Sequence, residues 1–205
     1  VTIYCIGMTL IGFGVPLMVR SFVGVSSWDT LHYSLEQLVP FLTFGMANAF
    51  VASIVTISII YMNKNWKYIL MLLPIYIVAS IIDLFDNVVF VNLVYNHPWQ
   101  HILGYFIGLS VLPLGGAMMI ISKLPAGVFD EFMLAILRKL KSNKIALVRG
   151  IIELTVVVIA LILSLIGGNG IGKLFYGTII FSLTVGPYIK FYLSMFERVG
   201  LYEPK

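Results

Sequence analysis

Val23-Gly24-Val25-Ser26-Ser27-Trp28-Asp29 returns, in altered form, as Leu124-Pro125-Ala126-Gly127-Val128-Phe129-Asp130. Each stretch passes from small residues to an aromatic followed by aspartate, and each opens an amphipathic segment. Asp29 and Asp130 lie 101 positions apart (130 − 29), and the same step carries Gly7 to Gly108, Gly14 to Gly115 and Met18 to Met119. The register therefore holds through the apolar run before each break. The chain reads as two halves built on one plan, 1–98 and 99–205.

The solvent for these halves follows from composition. Hydrophobic residues make up 60% of the chain and charged residues 11%, with a mean hydropathy of +1.02. Soluble domains carry about 25% charged residues, and apolar runs of membrane-spanning length are present, so an all-α polytopic membrane protein is expected. The net charge of +4 is no nucleic-acid footprint, because the cations cluster at the ends of apolar runs, where they set topology. Cys5 is the single cysteine and has no internal disulfide partner. The chain starts at Val1, so a short preceding piece is expected, and no cleavable signal peptide is visible.

Six spans are expected, at 1–19, 41–62 and about 68–95 in the first half and at 101–122, 145–166 and 174–196 in the second. Pro16 is expected to kink the first, and Gly186-Pro187 to interrupt the last. After the first span of each half comes a helix too short to cross: Ser26–Val39, with Trp28, Leu31, Leu35 and Leu38 on its apolar face and His32 and Glu36 opposite, and Gly127–Lys141. Asn96-His97-Pro98-Trp99-Gln100 reads as a turn between the halves. Nine cations (Lys64, Lys67, Lys123, Arg138, Lys139, Lys141, Lys144, Arg198, Lys205) fall on one side of this scheme and two (Arg20, Lys173) on the other. That bias puts both termini in the cytoplasm. Halves with an odd number of spans insert in opposite senses, which makes them an inverted repeat, a plan common among secondary transporters.

Ionisable groups inside spans mark functional sites or internal pairs. Arg149 and Glu153 are four apart on the fifth span and can pair, as a structural bridge or as part of a binding site. Asp83 and Asp86 share a face of the third span. Like charges there require a proton, a cation, or a partner such as Lys190 or Arg149, unless the span ends early and both face solvent. Asp29 and Asp130 can cap the short helices, which does not exclude a site at the same helix ends. Metal binding by His97 and His101 is disfavoured by the intervening Pro98. Gly168-x-Gly170-x-Gly172 lacks the flanking residues of a phosphate loop. No catalytic, metal-binding or cofactor-binding arrangement stands out, and an enzyme is not expected.

Several of these stretches also carry a resemblance. Leu124-Pro125-Ala126-Gly127-Val128-Phe129-Asp130-Glu131-Phe132-Met133, then Val148-Arg149-Gly150-Ile151-Ile152-Glu153-Leu154, Gly170-Ile171-Gly172 and Gly186-Pro187, resemble the second half of YczE/YitT-type bacterial integral membrane proteins. Gly24-Val25-Ser26-Ser27-Trp28-Asp29-Thr30-Leu31-His32-Tyr33 and Ile82-Asp83-Leu84-Phe85 fit the first half. Ser27, Pro125 and Val128 depart from the pattern. The resemblance implies a multispanning bacterial plasma-membrane protein and carries no substrate or catalytic residue with it.

The function expected is a transporter or permease for a small polar or charged solute. Its site would lie between the halves and be lined by Asp29, Asp83, Asp130, Arg149, Glu153 and Lys190. Arg149 would hold an anionic group, and Asp83 or Glu153 a coupling proton or cation. The alternatives are a substrate-binding subunit of a larger importer, or an accessory protein of a membrane complex. The partners expected are the bilayer, the solute, and a second copy or partner membrane subunit.

Overall fold

The computed structural model describes residues 1–124, 127–141, 144–174 and 176–202. Pro125 and Ala126 of the repeated break, and Lys205 of the charge count, lie outside the described residues. Most of those described are helical, and none of them forms a strand. The elements are α1 (Thr2–Ser21), α2 (Ser27–Leu38), α3 (Phe44–Asn63), a 3-10 turn (Trp66–Met71) leading into α4 (Leu72–Leu84), a π turn (Phe85–Val89), α5 (Pro98–Ile121), α6 (Val128–Leu140), α7 (Ile145–Ile166) and α8 (Tyr176–Arg198). Among the described residues, six helical stretches are long and apolar enough to cross a membrane: Thr2–Ser21, Phe44–Asn63, Trp66–Val89, Pro98–Ile121, Leu147–Ile166 and Tyr176–Arg198. A helix of 20 residues is about 30 Å long, the thickness of a hydrocarbon core.

Three features of the spans depart from expectation for a local reason. The third span stops at Val89, short of 95, because its hydrogen-bond ladder widens. Phe90 N–H bonds the Phe85 carbonyl at 2.8 Å, a π turn, and the apolar residues beyond it are not helical. The fourth span starts early, at Pro98, so that Pro98-Trp99-Gln100 form its first turn. Proline loses nothing at a first helical position, and the Gln100 side-chain oxygen accepts from the Asn96 and His97 amides at 2.7 and 3.0 Å. The sixth span is continuous through Gly186-Pro187, since proline removes one bond of the ladder and membrane helices tolerate that loss.

The chain forms two compact units, each drawing on both halves. One comprises Val1–Ser26, Ser80–Leu124 and Lys173–Lys205, the other Ser27–Ala79 and Pro125–Gly172. In the first unit α1 packs along α5, and α5 along α8. The α1–α5 crossing is antiparallel and tight, with Gly7 facing Gly115 and Gly14 facing Gly108. A Cβ on Gly7 would sit 2.7 Å from the Gly115 carbonyl oxygen, and one on Gly115 2.6 Å from that of Gly7, so backbone meets backbone. Gly24 in the repeated break is glycine for two reasons. Its φ is +145°, and a side chain would run into the backbone of Gly177 and Thr178. There Gly177 N–H bonds the Val23 carbonyl at 2.9 Å, and the Tyr105 hydroxyl donates to Gly177 O at 2.6 Å.

In the second unit α2 lies against α7 and α3, and α6 against α3 and α7. Their core is Leu31, Val51, Val55, Ile59, Met71, Val128, Ala135, Val156 and Ala160. The short helices are thus packed onto spanning helices. Burial on α2 includes Ser27, Asp29, Thr30, His32 and Ser34 beside Leu31. His32, expected on a polar outer face, is wholly buried, because α2 is covered on more than its apolar side.

Candidate functional site

The second unit gathers Asp29 on α2, Asp130 on α6, and Arg149 and Glu153 on α7; Asp83 and Lys190 belong to the first unit. The ends of α2 and α6 meet at the repeated aromatic positions. Trp28 stacks on Phe129 with ring centroids 4.1 Å apart and an interplanar angle of 22°. The aspartate after each ring therefore sits in the first turn of its helix, where unpaired amides and the helix dipole favour negative charge.

The two aspartates differ in setting. Asp29 is buried, and its Oδ1 lies 3.6 Å from His32 Nδ1, beyond hydrogen-bonding distance. His32 is enclosed edge-on by Phe44 and tilted against Phe129, each at 5.8 Å between centroids. Neither ring nitrogen has a hydrogen-bond partner among the described residues. Asp130 keeps much of its own surface exposed, yet its carboxyl lies deep among protein atoms. Burial pushes the Asp130 carboxyl above the usual carboxylate range, opposed by Arg149 and reinforced by Glu153. Arg149 Nε donates to Glu153 Oε1 at 3.0 Å, the i,i+4 pair expected from spacing. Glu131 pairs with Arg138 on α6.

Asp130 makes stability depend on pH. Its folded-state value is raised, so the folded protein holds this proton to higher pH than the unfolded chain does. The associated stability is present at low pH and lost as pH rises from the ordinary carboxylate range through the folded value. Asp130→Asn removes that loss. Melting of detergent-purified protein between pH 4 and 8 is expected to show a smaller decline with pH in the variant than in the wild type; equal declines refute this origin.

Asp86 has a partner that spacing did not reveal. Arg20 Nε donates to its Oδ1 at 2.6 Å and Arg20 Nη2 to its main-chain carbonyl at 2.7 Å, so neither Lys190 nor Arg149 fills that role. Asp86 is among the last four residues before the helix ends at Val89, where main-chain carbonyls have no intrahelical partner. The signal available in sequence was indirect: Arg20 is a cation on the cation-poor side. Lys173, the other such cation, is 2% exposed. It donates to Val19 O at 2.7 Å and lies 3.0 Å from the Phe22 ring centroid. His101 Nδ1 donates to Ser21 O at 2.7 Å, as a carbonyl can only accept. Among the described residues no cluster of three or more His, Cys, Asp or Glu is arranged to hold a metal.

Known proteins similar to this chain add a family but no activity. The uncharacterized membrane protein YczE of Bacillus subtilis (strain 168) is 28% identical over 193 residues, 94% of this chain and 84% of that protein. The uncharacterized protein YyaS of the same organism is 28% identical over 171 residues, 83% of each chain. No solved structure matches. A family described as one of unknown function, DUF6198, matches residues 1–194. With six apolar helices among its described residues and that match over nearly its whole length, the chain is a multispanning membrane protein of the DUF6198 family.

Proposed function

We propose that the protein is a transporter or permease for a small polar or charged solute, with its site in the second unit where α2 and α6 meet. The carrying observation is that the starts of α2 and α6, which bear Asp29 and Asp130, meet at the Trp28–Phe129 stack on helices packed against spanning helices. Ionisable groups are expensive in such a place and are retained for function by default. Helix ends that meet within a membrane offer amide dipoles to a ligand. Arg149 and Glu153 supply opposite charges beside Asp130. Arg149 holds an anionic group of the solute, and Glu153 accepts a donor from it. No covalent step belongs to this reading.

An inverted repeat is part of the same proposal, with both termini cytoplasmic. The contacts support it, because the 101-residue step exchanges them. Gly7–Gly115 becomes Gly108–Gly14, Trp28 is carried onto its stacking partner Phe129, and α2 on α7 corresponds to α6 on α3. An exchange axis across antiparallel α1 and α5 lies perpendicular to both, the direction an inverted pair of halves requires.

The test begins with a thermal-shift screen against small metabolites, since a ligand for the folded state raises stability by mass action. Hits are then followed as uptake into proteoliposomes. Glu153→Gln is expected to reduce uptake roughly ten- to hundredfold, the equivalent of a hydrogen bond to a charged group at about 1.5–3 kcal/mol. Full uptake by the folded variant removes Glu153 from the site. A folded protein that moves none of its ligands refutes transport.

A further inference from the structure

We propose that His32 with Asp29 is a proton-binding site, and that the ion coupled to transport is therefore a proton. The inference rests on the transport reading for its role but not for its chemistry. His32 is 0% exposed, inside an apolar shell that includes Phe44 and Phe129. Both ring nitrogens lack a hydrogen-bond partner among the described residues. A buried polar group left in that condition costs about 1–3 kcal/mol, and a leucine or phenylalanine would fill the space without that cost. What leucine lacks is a site for a proton, and histidine is the side chain whose charge ordinarily changes between pH 5 and 8.

The acceptor stands next to it. Asp29 Oδ1 is 3.6 Å from His32 Nδ1, so a shift of well under 1 Å brings the two into hydrogen-bonding distance. A proton taken up by the neutral imidazole gives an imidazolium facing the Asp29 carboxylate. Passing that proton from Nδ1 to Oδ1 leaves a neutral imidazole and a neutral carboxylic acid, and charge and protons balance at each step. The groups around this pair are few. On α2, Glu36 is one turn beyond His32, with Tyr33 between them; α3 contributes no charged side chain, its one titratable group being Tyr61; α6 carries Asp130, Glu131, Arg138 and Lys139; and α7 carries Arg149 and Glu153. Asp29 is the partner of His32 in an ion-pair contact.

A metal cation fits this place poorly. Sodium-like hard cations are held by several oxygens, whereas the contacts of His32 are the Phe44 and Phe129 rings and a single carboxylate, Asp29. A proton needs one lone pair, and His32 offers it.

The test reads protonation directly. Protein labelled with 15N-histidine in nanodiscs is titrated by NMR from pH 8.5 to 4.5, with the His32 signals assigned by their loss in His32→Gln. In the wild type His32 is expected to take up a proton within that range. Asp29→Asn is expected to lower its midpoint by about 1 pH unit, the effect of losing a carboxylate at this distance, while Asp29→Glu holds it within a few tenths of the wild type. A His32 that stays neutral throughout, or a midpoint that Asp29→Asn leaves unmoved, overturns the proposal. The wild-type titration remains decisive if Asp29→Asn does not fold. Solute uptake is measured separately: uptake without His32 titration removes the proton site and keeps the transporter, and titration without uptake does the reverse.

Discussion

Gly7→Leu is expected to destabilise the protein by about 3 kcal/mol or more, enough to remove most of the folded fraction from a marginally stable chain. At this crossing a Cβ meets the Gly115 carbonyl oxygen at 2.7 Å and the Met119 side chain and amide at 3.0 and 3.2 Å. A flexible side chain could move aside; a carbonyl inside a helix moves only with the helix. Gly115→Leu presses on the Gly7 carbonyl in the same way and should behave alike. The comparison variant is Gly150→Ala on α7, where an added Cβ meets nothing within 4 Å. That change is expected to be neutral or to stabilise by up to about 1 kcal/mol, the helix-propensity gain of alanine over glycine. Size-exclusion profiles and melting temperatures in detergent check all three. Gly7→Leu melting within a few degrees of Gly150→Ala would show that α1 and α5 do not need close contact.

Arg20→Ala is the second large effect, expected to cost about 3 kcal/mol. The side chains of Arg20 and Asp86 are 25% and 16% exposed, so loss of the guanidinium strands a carboxylate with little access to water. It also strands the Asp86 carbonyl, which lies in the last turn of its helix and accepts from Arg20. Asp86→Asn should cost less, because its amide oxygen and main-chain carbonyl still accept from Arg20. The double variant Arg20→Met/Asp86→Leu should recover most of the loss, since both charges leave together. Melting of the four proteins ranks these costs. An Arg20→Ala within about 0.5 kcal/mol of the wild type would give the pair no more weight than a surface bridge.

The sequence carried the spans because hydrophobic length is a local property. Where it misled, the cause was non-local or was a matter of hydrogen bonding. Nothing apolar changes at Val89, so an apolar run extends past the point where the ladder ends. His32 falls on the polar side of a helical wheel, but a wheel assumes one buried face, and α2 has neighbours on α3 and α7. Arg20 and Asp86 are 66 positions apart, a separation without periodic signature, whereas Arg149 and Glu153 stand one turn apart and were legible as a pair. The 101-residue register exposed the glycines as equivalent. It took the structure to show that Gly7 faces Gly115 and Gly14 faces Gly108, crosswise to the equivalence.

The far end of α1 has a consequence for how the chain is made. Its last carbonyls, at Val19 and Ser21, are satisfied by Lys173 and His101, 154 and 80 positions later. A ribosome that has delivered α1 to the membrane has not yet made either residue. This helix is therefore completed by residues synthesised much later, and a nascent chain stopped before Lys173 leaves the Val19 carbonyl without the donor that closes it. Assembly of the first unit is a late event in synthesis, although α1 is made well before the rest of it.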